Sequence, residues 1–421
     1  MFEWSETDEM IRESVRAFID KEVRPHLDEL EHGDLPPYDI MRKLFNQFGI
    51  DVMAGEAVAK MLAEQQAKAD RVAAGEPAPE KSSDEKKGDN PLAAQGSMAA
   101  VLISELTGVT LGSVAAVGVS LGLGAATIAS RGTLAQKQRW LEDIVTLEKV
   151  AAWAITEPDS GSDAFGGMKT YVRRDGDDYI LNGRKTFITN GPYADTVVVY
   201  AKLDEGDGAD KRDRKVLTFV LDKGMEGFTQ GRPFEKMGMH SSPTGELFFD
   251  NVRLSKDRLL GETEEHKGGD GRDSARLSFS VERVGCAILS MGIINECHRL
   301  SIDYAKSRTL WGQEIGRFQL IQLKLAEMEI ARLNVQNMVF NALESFAAGK
   351  IPTLAQASAM KLYSTKAATD VAMEAVQLFG GNGYMAEYRV EQLARDAKSL
   401  MIYAGSNEIQ VTHVAKGLLA D

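Results

Sequence analysis

The sequence predicts an α+β chain of several domains: a helical part over residues 1–149, a central antiparallel β domain over 150–272, and a second helical part over 273–421. Three observations predict it. Apolar residues recur at helical spacing up to about residue 147 and again from about residue 274. Between these stretches, short runs rich in β-branched and aromatic residues alternate with Gly and Asp clusters. No repeat or heptad array runs through the chain.

Ser5 followed by Asp8 marks a capped helix start, after which Ile11, Val15, Phe18, Ile19 and Val23 fall on one helical face. A second helix is expected from Pro37 to Phe48, and a polar one over 56–72. GEPAPEKSSDEKKGDNPLAAQGS, from Gly75, is rich in Pro, Ser and charge and reads as a mobile loop. Helix is expected again from Ser97 to about Leu147. Within it, Leu106 to Ser130 carries no charge and is long enough to span a bilayer, but its five glycines and several Ser and Thr point instead to buried helix with close backbone contacts.

AAWAIT then reads as a short strand. YVRRDGDDYIL places Asp-Gly between two strand patterns, a hairpin signal. TVVVYAKL, KVLTFVL and GELFFDNVRL are further strands, and LDEGDGADKRDR is a surface loop. Helices are expected over 274–307, 316–348, 353–380 and 386–398 and after Ser406, with Gly349 ending one and Pro352 helping to start the next.

A net charge of −13 argues against nucleic acid as the main partner. Two cysteines, Cys286 and Cys297, lie about 16 Å apart if on one helix, too far for a disulfide. They imply a reduced, cytoplasmic setting and exclude a zinc–thiolate cluster. The acidic start, MFEWSETDEM, resembles neither a signal nor a transit peptide.

Chemistry is concentrated in a few places. Between Leu277 and Asn295 the only charges are Glu282 and Arg283, side by side. Helix neighbours diverge by about 100° and cannot simply pair, so each needs a partner elsewhere or a use. A buried structural ion pair with another helix is one account, and a functional carboxylate the other. AITEPDSGSDAFGG, at 154–167, is either an ordinary surface loop or one whose amides and hydroxyls grip a polar cofactor. In KTFITNG, at 185–191, Phe187 and Thr189 either pack on the strand or meet a flat ring with an aromatic and a hydroxyl. QLFGGNGYMAEY, at 377–388, follows no strand, so its glycines are not a Rossmann fingerprint and suit a helix C-cap. YAGSNEIQ, at 403–410, is a turn before a helix, with Ser406 as candidate cap and a helix N-terminus that would also suit an anion.

In this order and spacing, AITEPDSGSDAFG, QLFGGNGYMAEYRVEQLARD and YAKSRTLWGQEIGRFQLIQ resemble the acyl-CoA dehydrogenase family. The resemblance covers nearly the whole chain and is poorest from about 50 to 98, which reads as an atypical insertion. One departure is Gln392, where the family usually has a basic residue. The resemblance implies an N-terminal α domain, a central β domain and a C-terminal four-helix bundle. It also implies FAD, usually a homotetramer, an acyl-CoA substrate, electron-transfer flavoprotein as acceptor, and a place in fatty-acid β-oxidation. By position, Trp153, Ile155, Thr156 and Ser162 would line the flavin, with Phe187 and Thr189 at its ring. Arg308, Phe318, Gln319, Gln377, Gly380 and Gly381 would reach the FAD of a neighbouring subunit, and Ser406 and Glu408 would hold its adenosine diphosphate part. Ser162, Ser280, Arg283, Ala404 and Gly405 would meet the substrate.

Many family members carry the catalytic base in the Tyr-Glu-Gly-Thr version of YAGS, where this chain has Ala404. Relatives of the isovaleryl and long-chain types place it on the first bundle helix, immediately before an arginine, as in Glu282-Arg283. The expected reaction is α,β-dehydrogenation of an acyl-CoA to the 2-enoyl-CoA, with Glu282 removing the α proton. An oxidase or monooxygenase on the same fold, or a catalytically silent flavin-binding protein, are the alternatives.

Overall fold

The computed structural model describes residues 4–75, 91–265 and 271–420. The capping box holds as expected: Ser5 Oγ accepts from the Asp8 amide at 3.1 Å, and Asp8 Oδ2 accepts from the Ser5 amide at 3.0 Å. It starts α1 (Glu6–Phe18), whose Val15 and Phe18 are buried. The apolar stripe continues through a π-helical turn, Ile19–Val23, before α2 (Leu27–His32) and α3 (Tyr38–Gln47). The polar helix expected over 56–72 is present and begins earlier, at Ile50. α4 (Ile50–Ala73) packs Val58, Met61 and Leu62 against the core that contains Trp140 and Ile144, and Lys137 Nζ donates to Gln65 Oε1 at 3.1 Å.

The loop expected from Gly75 falls outside the described residues over 76–90. Beyond them helix begins earlier than expected, with α5 (Pro91–Gly118). Proline suits a first helical position, where its missing N–H has no partner to lose. α5 is broken at Thr110 (φ −148°, ψ 80°), passes into a second π-helical stretch, Val119–Ala125, and is followed by α6 (Ala126–Arg131) and α7 (Leu134–Val145).

Residues 96–131 are long and apolar enough to cross a membrane, yet 67% of the most apolar stretch is buried inside the protein. The expected close backbone contacts are present. A Cβ at Gly112 would lie 2.4 Å from Ser241 Oγ and 2.6 Å from the Ser242 amide, and one at Gly124 would lie 2.7 Å from Ala151 Cβ. Gly112→Ala is therefore expected to lower stability by about 1–2 kcal/mol in denaturant unfolding, as overpacked sites do.

The sheet comprises β1 (Ala151–Ala154), β2 (Tyr171–Asp175), β3 (Asp178–Thr189), β4 (Thr196–Leu203), β5 (Val216–Asp222), β6 (Phe228–Gln230) and β7 (Thr244–Leu254). Its order is β1-β4-β2-β3-β7-β6, with β5 on β4. Asp175 pairs with Asp178 across a two-residue loop at Gly176 (φ +65°), the hairpin that Asp-Gly signalled. The pairings β2–β3, β3–β7, β4–β5 and β6–β7 are antiparallel, whereas β1–β4 and β2–β4 are parallel. β4 is buried at every position, as a strand covered on both faces must be.

The C-terminal helices are α8 (Gly271–Ser307), α9 (Gln319–Ala347), α10 (Leu354–Phe379), α11 (Val390–Leu400) and α12 (Asn407–Leu418). A two-stranded hairpin, β8 (Thr309–Leu310) with β9 (Gln313–Glu314), joins α8 to α9. One core knits α8, α9, α10 and α11 together through Met291, Ile294, Val335, Val339, Ala372 and Leu393.

Candidate active site

α8 carries Glu282 and Arg283 where it packs beside α10 and the 403–406 turn. The apolar length of this helix buries the segment, and the two charges diverge around its axis. Arg283 is 2% exposed; its Nη1 donates to Ser358 Oγ of α10 at 3.0 Å. Its Cζ lies 5.9 Å from the Phe279 ring centroid, and a Cβ placed on Gly405 would sit 3.6 Å from its Nη2. Its Nε is buried without a hydrogen-bond partner in the protein.

Glu282 takes part in none of the described hydrogen bonds or ion pairs, so the structural ion pair considered above is not seen. Burial pushes its carboxyl up to about 7, against the opposing pull of Arg283 and Lys361. Cys286 and Tyr403 face the same carboxyl, and burial pushes the Cys286 thiol up to about 12. Glu282 is half-buried by accessible surface, and a carboxyl without a partner among the described residues, raised toward neutrality by its apolar surroundings, has the properties of a general base or acid.

The turn beside it is tightly specified. Ala404 (φ +56°) and Gly405 (φ +80°) are both left-handed, a conformation that costs a residue with a Cβ about 1 kcal/mol or more. Gln410 Nε2 donates to both of their carbonyls, at 3.1 and 2.6 Å, and Lys361 Nζ donates to the Gly405 carbonyl at 2.8 Å. The Ala404 amide makes none of the described hydrogen bonds and is free to donate. Ser406 stands at the N-cap of α12, but its side chain makes no capping bond; half-buried, it neighbours the exposed Glu408. Ser280, 8% exposed, lies one residue from the exposed Val281.

A second group lies on the β domain. Trp153 donates through Nε1 to Tyr200 Oη at 3.2 Å. Ile155 is buried and Thr156 half-buried; the Thr156 carbonyl accepts from the Thr186 amide. The loop that follows is anchored by Glu157, which accepts from the Lys169 and Thr170 amides and from the fully buried Lys185 at 2.8 Å. This anchoring pair was not legible in the sequence, where both residues look like loop and strand-surface charges. Ser162 is exposed on the loop.

Phe187 sits at a register shift in β3 with φ +56° and is 68% exposed; half-buried Thr189 follows it. The bulge breaks the simple alternation expected of the strand. An apolar ring held in a strained backbone and left uncovered is the kind of feature that persists where a ligand meets it. An open cavity of about 520 Å³ beside the loop, lined by Glu157, Asp159, Arg184 and Phe248 among others, does not include Glu282.

A third group gathers at one end of the bundle. Tyr304 stacks on Phe379 at 4.0 Å and accepts from Asn382 Nδ2 at 3.0 Å, bringing the end of α8 against the Gly-rich turn. Arg308, Gln319, Gln377, Gly380 (φ +62°) and Gly381 are exposed there, while Phe318 is half-buried against Trp311. No described hydrogen bond joins this group to Phe187 or Thr189 of the same chain. A planar aromatic face on the sheet and uncommitted polar groups with a guanidinium at a separate bundle end fit a long cofactor with a flat ring and an anionic arm, shared between chains.

Gln392 is buried and reaches Asp396 at 3.4 Å, and Asp396, pushed up to about 7 by burial and by Glu31, caps the Met239 amide. One helical turn earlier, Arg389 supplies an enclosed guanidinium that faces Glu31, Asp396 and Glu296.

Family models for the acyl-CoA dehydrogenase N-terminal, middle and C-terminal domains match residues 5–65, 152–252 and 269–419. An acyl-CoA dehydrogenase of Bacillus subtilis is 32% identical over 97% of both chains. The CarC subunit of the caffeyl-CoA reductase-Etf complex of Acetobacterium woodii is 32% identical over 99% of both. The solved structure of butyryl-CoA dehydrogenase from Megasphaera elsdenii superposes with a TM-score of 0.80 at 30% identity, covering all of both chains.

Proposed function

The chain belongs to the acyl-CoA dehydrogenase family, and on that premise we propose that Glu282 is the base that removes the α proton of the acyl-CoA thioester. The protein is an FAD-dependent oxidoreductase that acts on the CH–CH bond of an acyl-CoA. When bound, FAD supplies the acceptor for the β hydride.

The observation that carries the assignment is Glu282 itself: it has no partner among the described residues, its carboxyl lies near 7, and it faces Tyr403 of the turn where Ala404 offers no acid. The α proton is a very weak acid, so its removal needs a positioned carboxylate away from water and a donor to the thioester oxygen where charge develops. Ala404 lacks the carboxylate but retains its N–H, so base and oxyanion donor are divided between α8 and the turn. Arg283 packs between them as a fixed cation. Trp153, Thr156, Ser162, Phe187 and Thr189 would bind and orient the cofactor from one chain. Arg308, Phe318, Gln319, Gln377, Gly380 and Gly381 would do so from its neighbour, with Ser406 and Glu408 at the adenosine end. That division supports a homo-oligomer, which we take to be a tetramer. Buried free thiols at Cys286 and Cys297 suit the cytoplasm.

The name of the Acetobacterium woodii relative favours a second reading of direction: reduction of a 2-enoyl-CoA, with Glu282 giving the proton back and electron-transfer flavoprotein as redox partner. A carboxyl near 7 is present in both forms at neutral pH and serves either direction. Anaerobic bleaching of the bound flavin by a panel of straight, branched and cyclic acyl-CoAs tests the proposal. Bleaching should accelerate as pH rises through about 7, because the anion is the working form. Absence of bleaching with every acyl-CoA would leave only a flavin-binding role, and steady oxygen consumption with substrate would move the protein to the oxidases.

A further inference from the structure

Lys361 of α10 is fully buried, yet neither the sequence motifs nor the mechanism above uses it. Another fully buried lysine, Lys185, is answered by the Glu157 carboxylate at 2.8 Å. Among the described residues Lys361 instead bonds only to neutral oxygens: the Gly405 carbonyl at 2.8 Å and Asn407 Oδ1 at 3.0 Å, the latter also taking a bond from Thr365 Oγ1 at 3.2 Å. A buried ammonium without a carboxylate in contact is costly. Glu282, half-buried and without a partner among the described residues, would satisfy it, but the two remain within electrostatic range without forming an ion pair. The charge is thus directed at the turn, and the carboxylate is left open.

We propose that Lys361 is a positioning residue for this site: its Nζ holds the Gly405 carbonyl turned toward α10, leaving the Ala404 amide free for the thioester oxygen, and its charge keeps Glu282 available as the anion. The inference rests on the reading of Glu282 as base. The groups that face the pair are Arg283 and Cys286 from α8, Tyr403 from the turn and Glu408 from α12. Arg283 already has a bond to Ser358, and the thiol and phenol are both held neutral by burial, so Lys361 is the cation whose removal changes the field at Glu282 without disturbing its helix. Sequence gives no hint of this, because Lys361 and Lys366 lie in the same helix and look alike. Packing separates them, since Lys366 is exposed and paired with Asp370.

The test uses FAD-loaded Lys361→Met and Lys361→Arg proteins. The protonated Glu282 carboxyl is followed by infrared difference spectroscopy against pH without substrate, its band assigned by its loss in Glu282→Gln. Lys361→Met is expected to raise the midpoint by about one unit, to move the acid limb of kcat/KM equally, and to lower kcat at pH 7 about fivefold, as the anionic fraction falls, with FAD content unchanged. Lys361→Arg should return the midpoint toward the parent value. Should Lys361→Met fail to fold, Asn407→Asp sets an anion against Lys361 and is expected to raise the same midpoint. An unmoved midpoint, with Glu282→Gln inactive, overturns the role of Lys361 alone. Normal turnover by Glu282→Gln overturns the base assignment beneath it.

Discussion

Glu282→Gln is expected to retain FAD and fold while losing about 10³-fold in kcat/KM or more. General base catalysis contributes about 10²–10⁴-fold, and no second carboxylate stands in reserve at Ala404. The amide is isosteric and neutral, as Glu282 itself is for about half the molecules at pH 7, so the change removes the proton acceptor with little disturbance of packing. FAD content and the circular dichroism spectrum report on fold, and single-turnover bleaching reports on chemistry. The double variant Glu282→Gln with Ala404→Glu places a carboxylate on the neighbouring 403–406 turn and is expected to recover part of the lost rate. Ala404 already holds the left-handed φ that the turn requires, although any residue with a Cβ remains strained there.

Arg389→Met should destabilise the protein by about 2–3 kcal/mol without altering the pH dependence of turnover. The guanidinium donates through Nη2 to the Val109 and Gly108 carbonyls at 2.7 and 3.3 Å, beside the non-helical Thr110 that interrupts α5. Losing a charged donor to buried carbonyls costs about that much. The same group is the enclosed cation facing Glu31 and Asp396, both nearly fully buried. Glu31 is held by Ser241 Oγ at 2.8 Å, so the junction of the N-terminal helices, the 236–243 loop and α11 relies on Arg389. Adding Gln392→Arg to the Arg389→Met protein puts a cation beside Asp396 and should restore part of the stability, as measured by the urea midpoint. An equal loss in the single and double variants would show that the helix break, rather than the acidic pair, is what Arg389 serves.

Much of the fold is legible because local signals agree with it. Ser5 with Asp8 makes the capping box, Asp175 with Gly176 turns the β2–β3 hairpin, and the glycines of 106–130 allow close backbone contact. What escapes is set by distant packing. The π-helical turns, the helical start at Pro91, the three-residue β6 and the β8–β9 hairpin carry little periodic signal. The bulge that exposes Phe187 depends on β7 rather than on KTFITNG itself. At the site, Glu282 was visible as a lone acid in an apolar helix. The residues that set its environment were not, since Lys361, Tyr403 and Gln410 come from other elements and only tertiary contact distinguishes them from surface polar residues.

The most direct measurement follows the C2 hydrogens of a bound acyl-CoA whose C3 is fully substituted, so that no β hydride can leave and only proton abstraction remains. Incubated in deuterium oxide with the FAD-loaded protein and read by mass spectrometry, the thioester should take up deuterium at C2 with the parent protein and at most about a thousandth as fast with Glu282→Gln. Undiminished uptake with Glu282→Gln would show that another group removes the proton.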